Sequence, residues 1–229
     1  MRAIPTRAIM VVALAWLTLL GGVEQATAQA QRLGGSFLIQ VAVPKTLPKR
    51  YSDVAFDTQN NVYLTVWGMF PVMGRFVDAG GTPLGSAFQI STAGQLAPRV
   101  KYSADANVFL VTYLDDTEAY KIKGNSGRVL GRLVRYAAGG TPVFVSGEFV
   151  ISQNGYGKIP EMPATLAYSP QSKEFLVTWT DANGLPNTDI NGRRVQLVLD
   201  SGTGDYKCQL AAEGEIPIAL LGIAELLPP

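Results

Sequence analysis

From about residue 50 onward, short runs of alternating apolar and polar residues follow one another, each bounded by clusters of Gly, Asn, Asp and Ser. Alternation of this period over about four to eight residues, rich in aromatic and β-branched side chains, predicts half-buried strands. Three segments align without a gap: Val54 to Trp67, Val100 to Tyr113 and Leu166 to Trp179. Each predicts a short strand, a polar turn and a longer strand, which together make a hairpin.

A third strand follows in each unit, announced by one four-residue phrase: Gly74-Arg75-Phe76-Val77, Gly131-Arg132-Leu133-Val134 and Gly192-Arg193-Arg194-Val195. Glycine-rich turns come next, at Ala79 to Pro83 and Ala138 to Pro142. They lead into a fourth strand, Phe88-Gln89-Ile90-Ser91 in the first unit and Phe149-Val150-Ile151-Ser152 in the second. Four antiparallel strands per repeat is the make-up of a propeller blade. A lone sheet of this kind carries apolar side chains on both faces, so neighbouring units must stack. The recurrent Phe56/Tyr102/Tyr168, Tyr63/Phe109/Phe175 and Trp67/Tyr113/Trp179 are expected to fill the spaces between them.

These phrases resemble the repeats of secreted bacterial β-propellers, whose unit runs Pro-x-Val-Ala-Tyr, Asn-x-Tyr-Leu-Val-Val-Trp, Gly-Arg-x-Val, then Gly-x-Pro and Phe-x-Ile-Ser. The likeness covers roughly Phe37 to Val198. It implies an all-β, propeller-like stack of about three four-stranded antiparallel blades and is silent about activity, since fold alone supplies none. A ring typically needs four to eight blades. Three readings stay open: two chains closing a six-bladed ring as a homodimer, a truncated remnant without independent function, or an open stack. An extra fourth-strand phrase, Phe37-Leu38-Ile39-Gln40, precedes the first unit, while the third unit shows no clear fourth strand. The early strand is therefore expected to complete the last blade. On this division residues 31–50 are a linker with that strand, 51–210 the three blades and 211–229 an off-pattern apolar tail.

The first thirty residues follow a different pattern. Arg2 and Arg7 precede the apolar run Ala8 to Leu20, and small residues recur at Ala26, Ala28 and Ala30. That order is a secretory signal peptide with cleavage after Ala28 or Ala30, and its apolar run is short of the roughly twenty residues a membrane span needs. The mature chain is expected to be secreted or periplasmic, with no membrane span. No cysteine follows the apolar run and the two arginines are not adjacent, which excludes a lipoprotein anchor and disfavours a twin-arginine signal. Removing residues 1–30 takes Arg2, Arg7 and Glu24 from 19 basic and 18 acidic side chains, so the mature charges balance. A neutral chain has no long-range field to draw nucleic acid.

The chain has no histidine, which rules out His-based triads and His-ligated zinc, and its single cysteine, Cys208, has no internal disulfide partner. Carboxylates remain. Asp115 and Asp181 sit at equivalent positions just past the second strands, with Asp116 and Glu118 alongside the first, and paired acids are what a carbohydrate-active hydrolase uses. Asp181, Asn183, Asn187 and Asp189 place oxygen ligands through one loop, the donor type that calcium takes, though without the closing glutamate of an EF-hand. Asn, Asp and Gly also build turns without metal. The second unit carries an insertion near Thr117 to Arg128. Tyr120, Lys121 and Lys123, with Tyr156 from a later loop, are the candidate contact residues, because insertions in repeat proteins commonly emerge on a binding face. The leading expectation is a non-enzymatic binding or scaffold module for a protein or glycan ligand; the hydrolase and the fragment without function are the alternatives.

Overall fold

The computed structural model describes residues 36, 39, 51–68, 71–92, 95–115, 127–152, 163–181 and 189–219. The chain divides into Met1–Ser36 and Phe37–Pro229, and all the sheets lie in the second unit. Sheet 1 contains β1 (Ser52–Asp57), β2 (Val62–Gly68), β3 (Val72–Asp78) and β4 (Pro83–Gln89), paired antiparallel in chain order. Sheet 2 contains β5 (Gln95–Ser103), β6 (Val108–Asp115) and β7 (Arg128–Ala137), with the fourth place shared by β8 (Thr141–Phe144) and β9 (Phe149–Val150), both against β7. Sheet 3 contains β10 (Thr165–Ser169), β11 (Glu174–Asp181) and β12 (Asp189–Leu199), and its fourth place is shared by β13 (Tyr206–Leu210) and β14 (Ile216–Ala219). The one helical element among the described residues is a short 3-10 turn at Ala138–Gly140. The fold is all-β, three antiparallel sheets of about four strands, and no closed ring forms among the described residues.

Each first hairpin turns in the same way. The last residue of the four-residue connection, Asn61, Asn107 or Lys173, takes a left-handed backbone with φ of 56°, 51° and 53°. A turn followed by one such residue matches the twist of the flanking strands, and asparagine tolerates that conformation better than most. In sheet 1 the buried Asp57 carboxylate accepts the amides of Gln59 and Asn60 at 2.8 and 2.9 Å, so the turn's free donors are satisfied locally.

The sheets pack face to face. One core joins Leu64, Val66 and Phe76 of sheet 1 to Phe109, Val111 and Tyr113 of sheet 2. A second joins Leu110, Leu133 and Ile151 of sheet 2 to Phe175, Val177 and Trp179 of sheet 3. The recurrent aromatics occupy these interfaces, with Tyr102 against Phe109 at 4.9 Å and Tyr168 against Phe175 at 4.8 Å. The equivalent Tyr63 of sheet 1 is 36% exposed, because no described sheet precedes it. The first strands converge: β5 lies against β1 on one side and β10 on the other, while the fourth strands barely touch. The three sheets fan outward from their first strands.

The repeated phrases have physical reasons that the structure makes plain. Glycine recurs near the start of each third strand because Gly74 pairs with Phe88, Gly131 with Phe149 and Gly192 with Ile216, and the isoleucine two residues further on folds over the vacant side. A methyl group on these glycines would lie 2.8 Å from Ile90 Cδ1, 3.0 Å from Ile151 Cδ1 and 2.8 Å from Ile218 Cδ1. The arginine that follows points into the interface and donates through Nη1 to the carbonyl of the isoleucine in the preceding unit. Arg132 reaches Ile90 at 2.6 Å, Arg193 reaches Ile151 at 2.9 Å and Arg75 reaches Ile39 at 2.6 Å. The serine closing the fourth-strand phrase accepts the first amide of the third strand, Val72 to Ser91 and Val129 to Ser152, both at 2.9 Å.

Two expectations change here. The third unit does have a fourth strand, and it comes from its own chain end: Ile216–Ala219, read from sequence as part of an off-pattern tail, pairs with β12. The phrase was disguised because Ile216 replaces the aromatic and Ala219 the serine, yet Ile218 still fills the hollow over Gly192. β14 fills the fourth place of sheet 3 for which the early Phe37 phrase was expected. Phe37, Leu38 and Gln40 lie outside the described residues, and Ile39 meets Arg75 of sheet 1 as Ile90 meets Arg132 of sheet 2.

Removing the arginine donor leaves a buried carbonyl unsatisfied, which costs about 1–3 kcal/mol. Arg132→Met, which keeps the aliphatic stem near Phe144, is expected to lower the unfolding free energy by that amount, read from urea melts, with Lys101→Met as the exposed control. Sheets 2 and 3 are also tied by Arg135 and Asp205, whose two hydrogen bonds measure 2.6 and 3.2 Å. The guanidinium holds the Asp205 carboxyl below the usual carboxylate range. A depressed folded value gives stability that is present above about pH 4 and is lost as pH falls through it. With 39% of the Asp205 side chain exposed, Asp205→Asn is expected to cost about 1 kcal/mol or less at pH 7 and to flatten the acid limb of the stability curve, read from urea melts between pH 7 and 3.

Candidate functional site

The alternation of strand directions sorts the connections onto two ends. One end carries the tight turns at 58–61, 104–107, 170–173, 79–82 and 138–140, together with the 200–205 turn. These turns bind themselves: Asp78 Oδ1 accepts the Thr82 amide at 2.7 Å, and Asp200 Oδ1 accepts the Gly202 amide at 3.0 Å. The opposite end carries the connections 69–71, 116–127 and 182–188 within sheets, and 90–94 and 151–164 between sheets. The longest connections, 116–127, 151–164 and 182–188, leave from this loop end.

Of the candidate residues, Asp115, Asp181 and Asp189 lie at strand ends on this side. Asp115 closes β6, in register between Gln95 and Arg128. Asp181 closes β11 directly across from Asp189, so the first and last of the proposed calcium ligands face one another in register. Asp115 and Asp181 occupy equivalent strand ends on different sheets and are not register neighbours. Asn183 and Asn187, and likewise Tyr120, Lys121, Lys123 and Tyr156, lie outside the described residues. The described strands that flank their connections end on this side. Among the described residues, no group of three His, Cys, Asp or Glu side chains is arranged to hold a metal ion, and no helix is long and apolar enough to cross a membrane.

No protein family, curated protein or solved structure matches this chain. The site rests on its own chemistry.

Two buried polar side chains, Tyr113 and Trp179, lie at equivalent positions near the ends of β6 and β11. The Tyr113 hydroxyl lies beside the Glu148 carboxylate, whereas the Trp179 indole nitrogen has no hydrogen-bond partner among the described residues. Buried polar groups are almost always paired, so orphans mark places to look for a further partner. Burial, with the Glu148 carboxylate next in effect, raises the Tyr113 phenol above the ordinary tyrosine value, so it stays a neutral donor. Their signal in the sequence was a Trp/Tyr alternation that read only as core. Glu148 itself accepts the Thr92 amide at 2.8 Å and spans from sheet 2 to the end of sheet 1. The Cys208 thiol is pushed up to about 12 by burial, which makes it a packed side chain, not a nucleophile.

Proposed function

We propose that the chain is an exported, propeller-like binding module that holds a protein or glycan ligand on its loop end. The sorting of connections carries this reading: tight self-bonded turns at one end, and the long connections 116–127, 151–164 and 182–188 at the other. A rigid stack that gathers its variable connections at one end has the arrangement of a binding scaffold. The convergence of β1, β5 and β10 supports the propeller-like description, because blades of a propeller are wedge-packed with their first strands innermost. Trp179 would offer an indole donor toward that end. Export rests on the arginine-flanked apolar run and the small-residue sites at Ala28 and Ala30.

Asp115 and Asp181 on separate sheets leave the hydrolase reading without a register-paired acid couple. Asp181 and Asp189 pair across β11 and β12, and the calcium reading rests on the oxygen-donor composition of the sequence between them.

Expression with the full leader is expected to release a chain beginning at Gln29 or Gln31 by N-terminal sequencing; retention of Met1 in the exported fraction would refute export by cleavage. Screening the mature chain against immobilised polysaccharides and surface proteins should give a ligand whose affinity falls at least tenfold in the triple variant Tyr120→Ala, Lys121→Ala, Lys123→Ala. Gln59→Ala at the turn end leaves it unchanged. Equal loss in both variants overturns the loop-end assignment, and turnover of a bound glycan that Asp115→Asn or Asp181→Asn abolishes would establish the hydrolase instead.

A further inference from the structure

Sheets 1 and 2 each present an apolar face to the sheet that follows. Val62, Leu64 and Phe76 do so in sheet 1, and Val108, Leu110 and Leu133 in sheet 2, all buried. The shared register carries these positions onto sheet 3, where the pattern breaks. Glu174 stands in place of Val62 and Val108, and Arg194 in place of Phe76 and Leu133. Arg194 Nη1 lies 3.2 Å from each oxygen of Glu174, and its Nε donates to Glu213, which the turn between β13 and β14 brings across the same face. The remaining apolar residues there, Leu176 and Ile218, are 40% and 49% exposed, whereas their equivalents Leu64, Leu110, Ile90 and Ile151 are fully buried.

We infer that Glu174, Arg194 and Glu213 form a cap that ends the stack, keeping any further sheet of this repeat type, including sheet 1 of a second copy, off sheet 3. Two carboxylates and one guanidinium leave an uncompensated negative charge, and covering them with an apolar sheet would strip their water without supplying new partners. Terminal units of stacked repeats need a polar outer face for this reason. The opposite end is built differently. Val54 and Tyr63 of sheet 1 are 50% and 36% exposed, while the matching Val100 and Phe109 are fully buried beneath sheet 1. The stack is therefore directional, with an apolar front and a charged back. A six-sheet ring of two chains, which needs each sheet 3 to pack on its partner's sheet 1, is blocked by the cap.

The test rebuilds on sheet 3 the residues that sheet 2 carries. The mature double variant Glu174→Val, Arg194→Leu is compared with wild type by sedimentation velocity across a hundredfold range of concentration. Expected is association at concentrations at least tenfold below any at which wild type associates, and its reversal when Val54→Lys and Tyr63→Lys are added to the double variant. A double variant that sediments like wild type overturns the cap, as does association that persists with both lysines in place. Circular dichroism melts establish folding. If the valine–leucine variant does not fold, Glu174→Gln, Arg194→Met removes the charges more gently, and its association or failure to associate decides the matter by the same two criteria.

Discussion

Everything in this fold follows from a sheet whose two faces are both apolar. In sheet 2, Val108, Leu110 and Leu133 look one way and Phe109, Val111 and Val134 the other, and all six are fully buried. Exposing either set to water forfeits roughly 1.5–3 kcal/mol for each large side chain. Such a sheet is stable only between two others. Its strand hydrogen bonds set its shape, but its existence depends on its neighbours, and the same holds for any repeat that buries its core between units.

Packing by apolar faces alone would let adjacent sheets slide, since the hydrophobic effect has no direction. The arginine of the third strand removes that freedom. Its guanidinium crosses the interface to one backbone carbonyl, at Ile39, Ile90 or Ile151, and a hydrogen bond has a length and an angle that burial lacks. The glycine before it lets the isoleucine of the fourth strand lie close, which delivers that carbonyl to the next unit's arginine. Gly-Arg and Phe-x-Ile-Ser are thus two halves of one joint. They recur together because neither half works without the other.

The period-two alternation made the strands of all three units legible, and the gapless alignment of Val54, Val100 and Leu166 made the repeat legible with them. The fourth strand of sheet 3 was missed because two of its letters changed, isoleucine for phenylalanine at Ile216 and alanine for serine at Ala219, while Ile218 kept its place over Gly192 with Thr178 beside it. Glu174 and Arg194 were visible as letters, but their meaning required the register. Only when Glu174 is set level with Val62 and Val108 does a charged pair on a strand become a charged pair where a neighbouring sheet would sit. The unpaired Trp179 indole nitrogen could not be read at all, because a hydrogen bond that is not made leaves no mark in the residue order. For the same reason the candidate ligand residues came from loop length and composition, which locate an end of the molecule and do not define a pocket.

The two asymmetries of the molecule lie along different directions and answer different demands. Along the strands, tight turns gather at one end and long connections at the other, an outcome of antiparallel order once insertions are confined to the second-to-third strand and between-unit connections. Across the stack, an apolar front opposes a charged back, and this does not follow from topology, since every unit has the same four-strand plan. It follows from two substitutions at positions that packing would otherwise fill with aliphatic residues. Because Leu176, Ile218 and the Gly192 hollow all persist beneath the charges, sheet 3 keeps the form of an interior unit. The difference between an interior sheet and a terminal one therefore comes down to side chains on a single face. A repeat protein can change where it ends without changing how it folds.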